Sequence, residues 1–201
     1  YQGGDYAGAI EALTPVVEDA VEDIDAQLYL GLSLLYVSRH SEAQEVIERA
    51  LAQHPSEARL HGTLGVIYLA RYTARAYTET QKEDGEAAIA SLKKAIELDP
   101  DSVNPHYNLG VIHSYRDDIE PAQQSFEAAL AIDSTFSAAH KRLGMIHRQR
   151  GFRREAVDAL EKAVYLTPDD SEALFALGLA YRDVRDYEPA VESLERASEL
   201  N

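Results

Sequence analysis

The chain has 201 residues, with 19 Lys+Arg against 35 Asp+Glu and a formal net charge of -16. Such a surface repels nucleic acid and anionic lipid, so generic phosphate-backbone binding is excluded. Cysteine is absent, which removes disulfide and thiol chemistry and leaves the compartment open.

Apolar residues recur at helical spacing from end to end. Residues 1–23 open with Gly4-Asp5-Tyr6, then Ala9 and Leu13, the pattern of a turn and the second helix of a hairpin whose first helix is missing. Pro15 falls inside that helix and removes the hydrogen bond to the Glu11 carbonyl, which predicts a kink or an early end. Residues 24–57 make the first full hairpin, with its turn near Arg39-His40. Its first helix contains the longest apolar run, Leu28 to Val37, broken by Gly31 and Ser33. That run is far shorter than the ~20 residues of a membrane-spanning helix, so no membrane insertion is expected.

The second hairpin, 58–102, carries 11 extra residues between Tyr68 and Ala88. Lys82-Glu83-Asp84-Gly85 reads as its turn. Both helices are then extended by about a turn and a half, and the tip projects roughly 8 Å. Either the insertion is a tolerated one, or it forms a protruding contact arm built on Tyr72 and Tyr77. The third hairpin, 103–136, has Pro105 and Pro121 in the first turns of its helices, where the missing N–H is harmless.

The fourth hairpin, 137–170, is the clearest. Leu143, Ile146 and His147 form the stripe of one helix, and Ala156, Leu160, Ala163 and Val164 that of the next, across a turn at Arg150-Gly151. The fifth spans 171–201. No polar capping helix follows Asn201, and none precedes Tyr1. The expectation is a piece of a longer protein, or ends covered by a partner or a second copy through self-association.

These hairpins share one register. Gly31, Gly65, Gly110, Gly144 and Gly178 each follow a leucine, at intervals of 34, 45, 34 and 34 residues. Alanines keep the same period: Ala43, Ala88, Ala122, Ala156 and Ala190 (with Ala9 one unit earlier), then Ala50, Ala95, Ala129, Ala163 and Ala197. Glycine inside a helix costs roughly 0.5–1 kcal/mol against alanine, so a repeated one implies close approach of a neighbouring backbone. On these residues the chain resembles the tetratricopeptide repeat (TPR) family, whose 34-residue units carry a Leu-Gly pair, alanines in the second helix and often a closing proline, here Pro55, Pro100 and Pro168. The resemblance implies an all-α fold. It would be a right-handed α-solenoid of about five and a half TPR units in one domain, with eleven helices.

The resemblance also implies that first helices line a groove for an extended peptide or a partner helix. The glycine register places Leu28, Tyr29, Leu32 and Tyr36 on that face, then Thr63, then Tyr107, Asn108, Val111 and Tyr115. Lys141, Arg142, Met145 and Arg148 follow, with Phe175, Leu179 and Arg182 last. The first of these helices is apolar all round, so its groove face is either a binding surface or covered by preceding sequence. Further along, five basic groove residues (Arg59, Lys141, Arg142, Arg148, Arg182) outnumber three acidic ones (Asp25, Glu172, Asp183). They either pair with acids elsewhere on the surface or form a patch for a carboxylate or acidic peptide. Some family members clamp the acidic tail of heat-shock chaperones with a Lys/Asn/Asn/Lys/Arg set. Asn108 and Arg142 match it here, but Gly62, Val66 and Ala138 cannot ligate a carboxylate.

Catalysis has little support. His106 and His113, and His140 and His147, are seven residues apart, not the four of a helical zinc pair, and His61 shares the earlier place. They read as structural histidines, and neither a cofactor nor a metal is expected. The leading reading is a non-catalytic interaction scaffold. A regulatory or substrate-docking arm of a larger enzyme, and a self-associating structural solenoid, stay open beside it.

Overall fold

The computed structural model describes residues 4–19, 22–74 and 79–200, and Tyr77 lies outside them. Eleven helices are found among the described residues. They are α1 (Tyr6–Asp19), α2 (Ile24–Tyr36), α3 (His40–Gln53), α4 (Ala58–Ala74), α5 (Glu79–Leu98) and α6 (Val103–Tyr115). After these come α7 (Ile119–Ile132), α8 (Ser137–Gln149), α9 (Arg153–Leu166), α10 (Ser171–Asp183) and α11 (Tyr187–Glu199). The chain divides into two compact units, 1–115 and 116–201, so the division falls between α6 and α7.

Within the first unit, α2 pairs with α3 and α4 with α5; within the second, α8 pairs with α9 and α10 with α11. The register glycines explain how these pairs close. A Cβ at Gly31 would lie 2.7 Å from Ile47 Cδ1, and one at Gly65 2.6 Å from Leu92 Cγ. At Gly144 and Gly178 it would meet Leu160 Cγ at 2.5 Å and Leu194 Cγ at 2.6 Å. The close approach expected at these glycines is therefore chiefly to a branched side chain of the partner helix. Backbone is close as well, with the Ala156 carbonyl 3.2 Å from a Cβ at Gly144. The period alanines from Ala43 to Ala197 are buried throughout, because any larger side chain would push the pair apart.

Four turns inside the hairpins share one conformation. Ser38, Asp117, Gly151 and Arg185 have φ of 61°, 61°, 80° and 67°, and only one of them is glycine. The next N–H reaches back to close a Schellman-type end, as in Phe152 N–H to the His147 carbonyl (2.8 Å) and Asp186 N–H to that of Tyr181 (2.9 Å).

The early end at Pro15, one of the two alternatives there, and the turn of the second hairpin are corrected. Helix α1 runs on four residues past Pro15 to Asp19, so the proline does not end it. One lost hydrogen bond is outweighed by the packing of Ile10, Leu13 and Val17 on the core formed with α2. The insertion does lengthen both helices of its hairpin, α4 to 17 residues and α5 to 20, but residues 82–85 are not the turn. They lie inside α5, where Gly85 lets the Tyr72 ring approach: a Cβ there would sit 2.9 Å from Tyr72 Cδ2. Asp84 beside it is buried and pairs with Arg71 at 3.0 Å.

Candidate functional site

First helices touch from repeat to repeat: α2 meets α4, α4 meets α6, and α8 meets α10. No comparable contact joins α3 to α5 or α9 to α11 among the described residues. The first helices thus form the inner wall of each unit, which is where the sequence places the groove.

In the first unit the wall encloses a cavity of about 380 Å³. Its floor is α4 (Arg59, Gly62, Thr63, Val66), and its sides are α2 (Leu32, Tyr36) and α6 (Asn104, Pro105, Asn108). Gly62 differs from the register glycines. A Cβ there would have only Ala95 Cβ and Pro105 Cγ within 4 Å, both at 3.8 Å. Ordinary contact needs no glycine, so this one costs the helix roughly 0.5–1 kcal/mol and leaves a dent in the floor.

Tyr29, Tyr36 and Tyr115 are more than half exposed on this face, while Tyr107, Asn108 and Val111 are half-buried. Tyr36 stacks on Tyr6 of α1, with ring centroids 4.6 Å apart. Leu28 is not part of the groove: it is 8% exposed and lies in the core with Val17, Leu60 and Leu64. Helix α2 is apolar all round because α1, α3 and α4 all pack on it. Thr63 lines the cavity but is buried, and its hydroxyl donates to the Arg59 carbonyl (2.9 Å).

The cations are engaged. Arg59 Nη1 donates to Asp25 (2.7 Å) and Nε to Glu57 (2.9 Å). In the second unit, Lys141 Nζ donates to Asp170 (2.8 Å) and Glu172 (2.7 Å), and Arg148 Nε to Asp183 (2.7 Å). Arg182 also reaches Asp183, at 3.3 Å, and Arg142 is half-buried. Of the partners, Asp25, Glu172 and Asp183 are themselves groove residues. The basic set is therefore largely answered from within its own face. Burial opposes the charge on Lys141, but its two carboxylate bonds win and raise its pKa above the ordinary lysine value. Between these pairs, Met145, Phe175 and Leu179 line a cavity of about 550 Å³, with Phe175 53% exposed.

Three of the histidines turn out to have one job. His61 Nε2 bonds the Pro55 carbonyl (2.9 Å), His106 Nε2 that of Pro100 (3.2 Å), and His140 Nε2 that of Ser134 (2.9 Å). A carbonyl only accepts, so each ring must carry its proton on Nε2 and donate. Each ties the start of a first helix to the turn six residues before it. Among the described residues, no group of three or more His, Cys, Asp or Glu is placed to hold a metal ion.

Tyr72 does not stand out from the extended hairpin: it packs against the Gly85 backbone and the cluster of Leu69, Ala88 and Leu92. Sequence reasoning missed the Arg71–Asp84 pair behind it, which Gln44 joins by accepting from Arg71 Nη1. The 13-residue spacing across an insertion carries no periodic signal. No helix among the described residues is long and apolar enough to cross a membrane.

Antiparallel helix pairs at a 34-residue period, closed by glycine against a branched side chain, define a helical-repeat protein. Tetratricopeptide-repeat models match residues 76–114, 103–136 and 141–200, and the chain belongs to the tetratricopeptide repeat family. No curated protein sequence matches it significantly.

Solved structures agree on the fold. TTC0263, a thermophilic TPR protein of Thermus thermophilus, is 22% identical with a TM-score of 0.75, over 88% of this chain and 91% of its own. PilF of Pseudomonas aeruginosa is 22% identical with a TM-score of 0.77, over 88% and 76%. YrrB, described as a TPR protein with an unusual peptide-binding site, is 21% identical with a TM-score of 0.66, over 96% and 93%. The expected all-α solenoid class holds, and the family is one of protein-interaction scaffolds.

Proposed function

We propose that this protein is a non-catalytic interaction module that takes an extended peptide, or one face of a partner helix, along the inner walls of its units. The observation that carries the reading is the row of exposed aromatic side chains on the first helices, although Tyr165 and Tyr187 on second helices are exposed as well. Tyr29, Tyr36, Tyr115 and Phe175 are each more than half exposed at groove positions, whereas the opposite stripe of the same helices is buried. Exposed aromatics on a preformed concave wall are what a peptide site needs: contact area at low cost in conformational entropy. Asn108 beside the first cavity can donate to a peptide carbonyl and accept from its N–H. The peptide-binding site named for YrrB supports the same use of this fold.

Ion pairing of Lys141 and Arg148 argues against a free basic patch, so an acidic peptide end is the weaker choice of ligand. A random-peptide display selection on the purified protein tests the reading. Peptides that bind the wild type should be lost on the Tyr36→Ala/Asn108→Ala or the Met145→Ala/Phe175→Ala protein. Failure to enrich any peptide, or equal capture by both variants, would contradict it.

A further inference from the structure

Resting on that reading, we infer that the first unit's cavity is a specificity pocket for a bulky apolar side chain flanked by a basic residue. Two independent observations meet at this place. The first is Gly62, the helical glycine whose added Cβ would meet nothing closer than 3.8 Å. Close packing of a Cβ therefore does not require it, unlike Gly31, Gly65, Gly144 and Gly178, and its place in the cavity lining is held by backbone alone. Leu32, Tyr36, Val66 and Pro105 surround the opening with apolar surface.

The second observation is charge. Arg59 is the cation of this pocket, and it is held between Asp25 and Glu57. Asp99 also lines the cavity, at the turn before α6. Arg59 and Asp99 are the charged residues of the lining; Asp25 and Glu57, outside it, already bond Arg59, so the balance of these four groups is acidic beside the apolar opening. An acidic ligand is repelled there, and a lysine or arginine beside the seated side chain is attracted. The occupant is thus an extended cationic peptide with an aromatic or branched anchor, the anchor over Gly62 and the cation towards Asp99.

The display selection on the full chain reads this out. Enriched peptides should carry Trp, Phe, Leu or Ile within two residues of Lys or Arg, with a net positive charge. Against one such synthetic peptide, Gly62→Leu should weaken binding about tenfold or more, while Gly62→Ala keeps the wild-type melting temperature or raises it. Asp99→Lys, which changes an exposed side chain, should weaken it several-fold and blunt its salt dependence. Enrichment of acidic or purely polar peptides would overturn the inference, as would unchanged affinity in Gly62→Leu and Asp99→Lys. If peptides without the signature are enriched and still need Asn108, the groove reading stands and the pocket inference falls. If no peptide is enriched, both fall.

Discussion

Lys141 of α8 and Asp170 of α10 share one carboxylate with a helix end. Oδ2 of Asp170 accepts from Lys141 Nζ at 2.8 Å, while Oδ1 accepts from the Ala173 N–H at 3.0 Å as the N-cap of α10. A cation facing the groove thereby fixes where the next repeat begins. Asp170→Ala should destabilise the second unit by about 1–3 kcal/mol, since it removes a cap and one of the two carboxylates that hold Lys141, whose side chain is only 12% exposed. Asp170→Asn should cost less, because asparagine still caps. Urea unfolding followed by circular dichroism separates the two.

The same carboxylate sets a pH dependence. Burial raises its pKa, but the bonds from Lys141 and the Ala173 N–H outweigh that and hold it below the ordinary aspartate value. A depressed carboxylate stabilises the fold fully above its unfolded value of about 3.9 and loses that contribution as pH falls through the lower folded value. The stability gap between wild type and Asp170→Asn should therefore be constant from pH 5 to 7 and close below about pH 4. A gap that does not narrow at all as pH falls below about 4 would contradict the ion pair.

Glycines at the two kinds of place should respond oppositely to the same change. Gly144→Ala puts a Cβ 2.5 Å from Leu160 Cγ and should cost about 1–3 kcal/mol through overpacking. Gly62→Ala fits without contact closer than 3.8 Å and should stabilise by about 0.5–1 kcal/mol. Thermal unfolding of the two variants reads the contrast directly.

The buried pair in the extended hairpin is the sharpest test of its packing. Asp84 and Arg71 have side chains 5% and 20% exposed. Asp84→Ala should cost roughly 3 kcal/mol by leaving the guanidinium uncompensated, whereas Arg71→Met/Asp84→Leu should be close to neutral. Equal losses in both variants would mean that shape, and not charge, matters at this place.

Arg185 holds φ of 67° at the register where the fourth repeat has glycine. Arg185→Gly should stabilise by about 0.5–1 kcal/mol, since the left-handed conformation is relaxed only in glycine. Denaturant midpoints with an unchanged m-value would check it.

Much of the fold is legible in the sequence because its signals repeat. A glycine or alanine every 34 residues exposes the period, and the period places the helices. What was not legible is pairing between side chains that share no period. For Lys141 and Arg148 the sequence leaves pairing and a basic patch both open, and only the partners Asp170 and Asp183 across the helix interface decide between them. Leu28 reads as groove because its position fits, yet α1 and α4 close over it. Gly85 reads as a turn glycine because glycine near charged residues usually marks one, and only the Tyr72 ring against it reveals a helix interior. Lys141→Glu would for the same reason be a poor probe of ligand binding, because it breaks the Asp170 contact as well.

Isothermal titration of a display-selected peptide into wild type and Tyr36→Ala/Asn108→Ala tests the account most directly. Both substitutions lie on the inner wall, at an exposed tyrosine and a half-buried asparagine. The account predicts unchanged folding with at least about a tenfold loss of affinity. Wild-type affinity in that variant would contradict a groove-bound ligand.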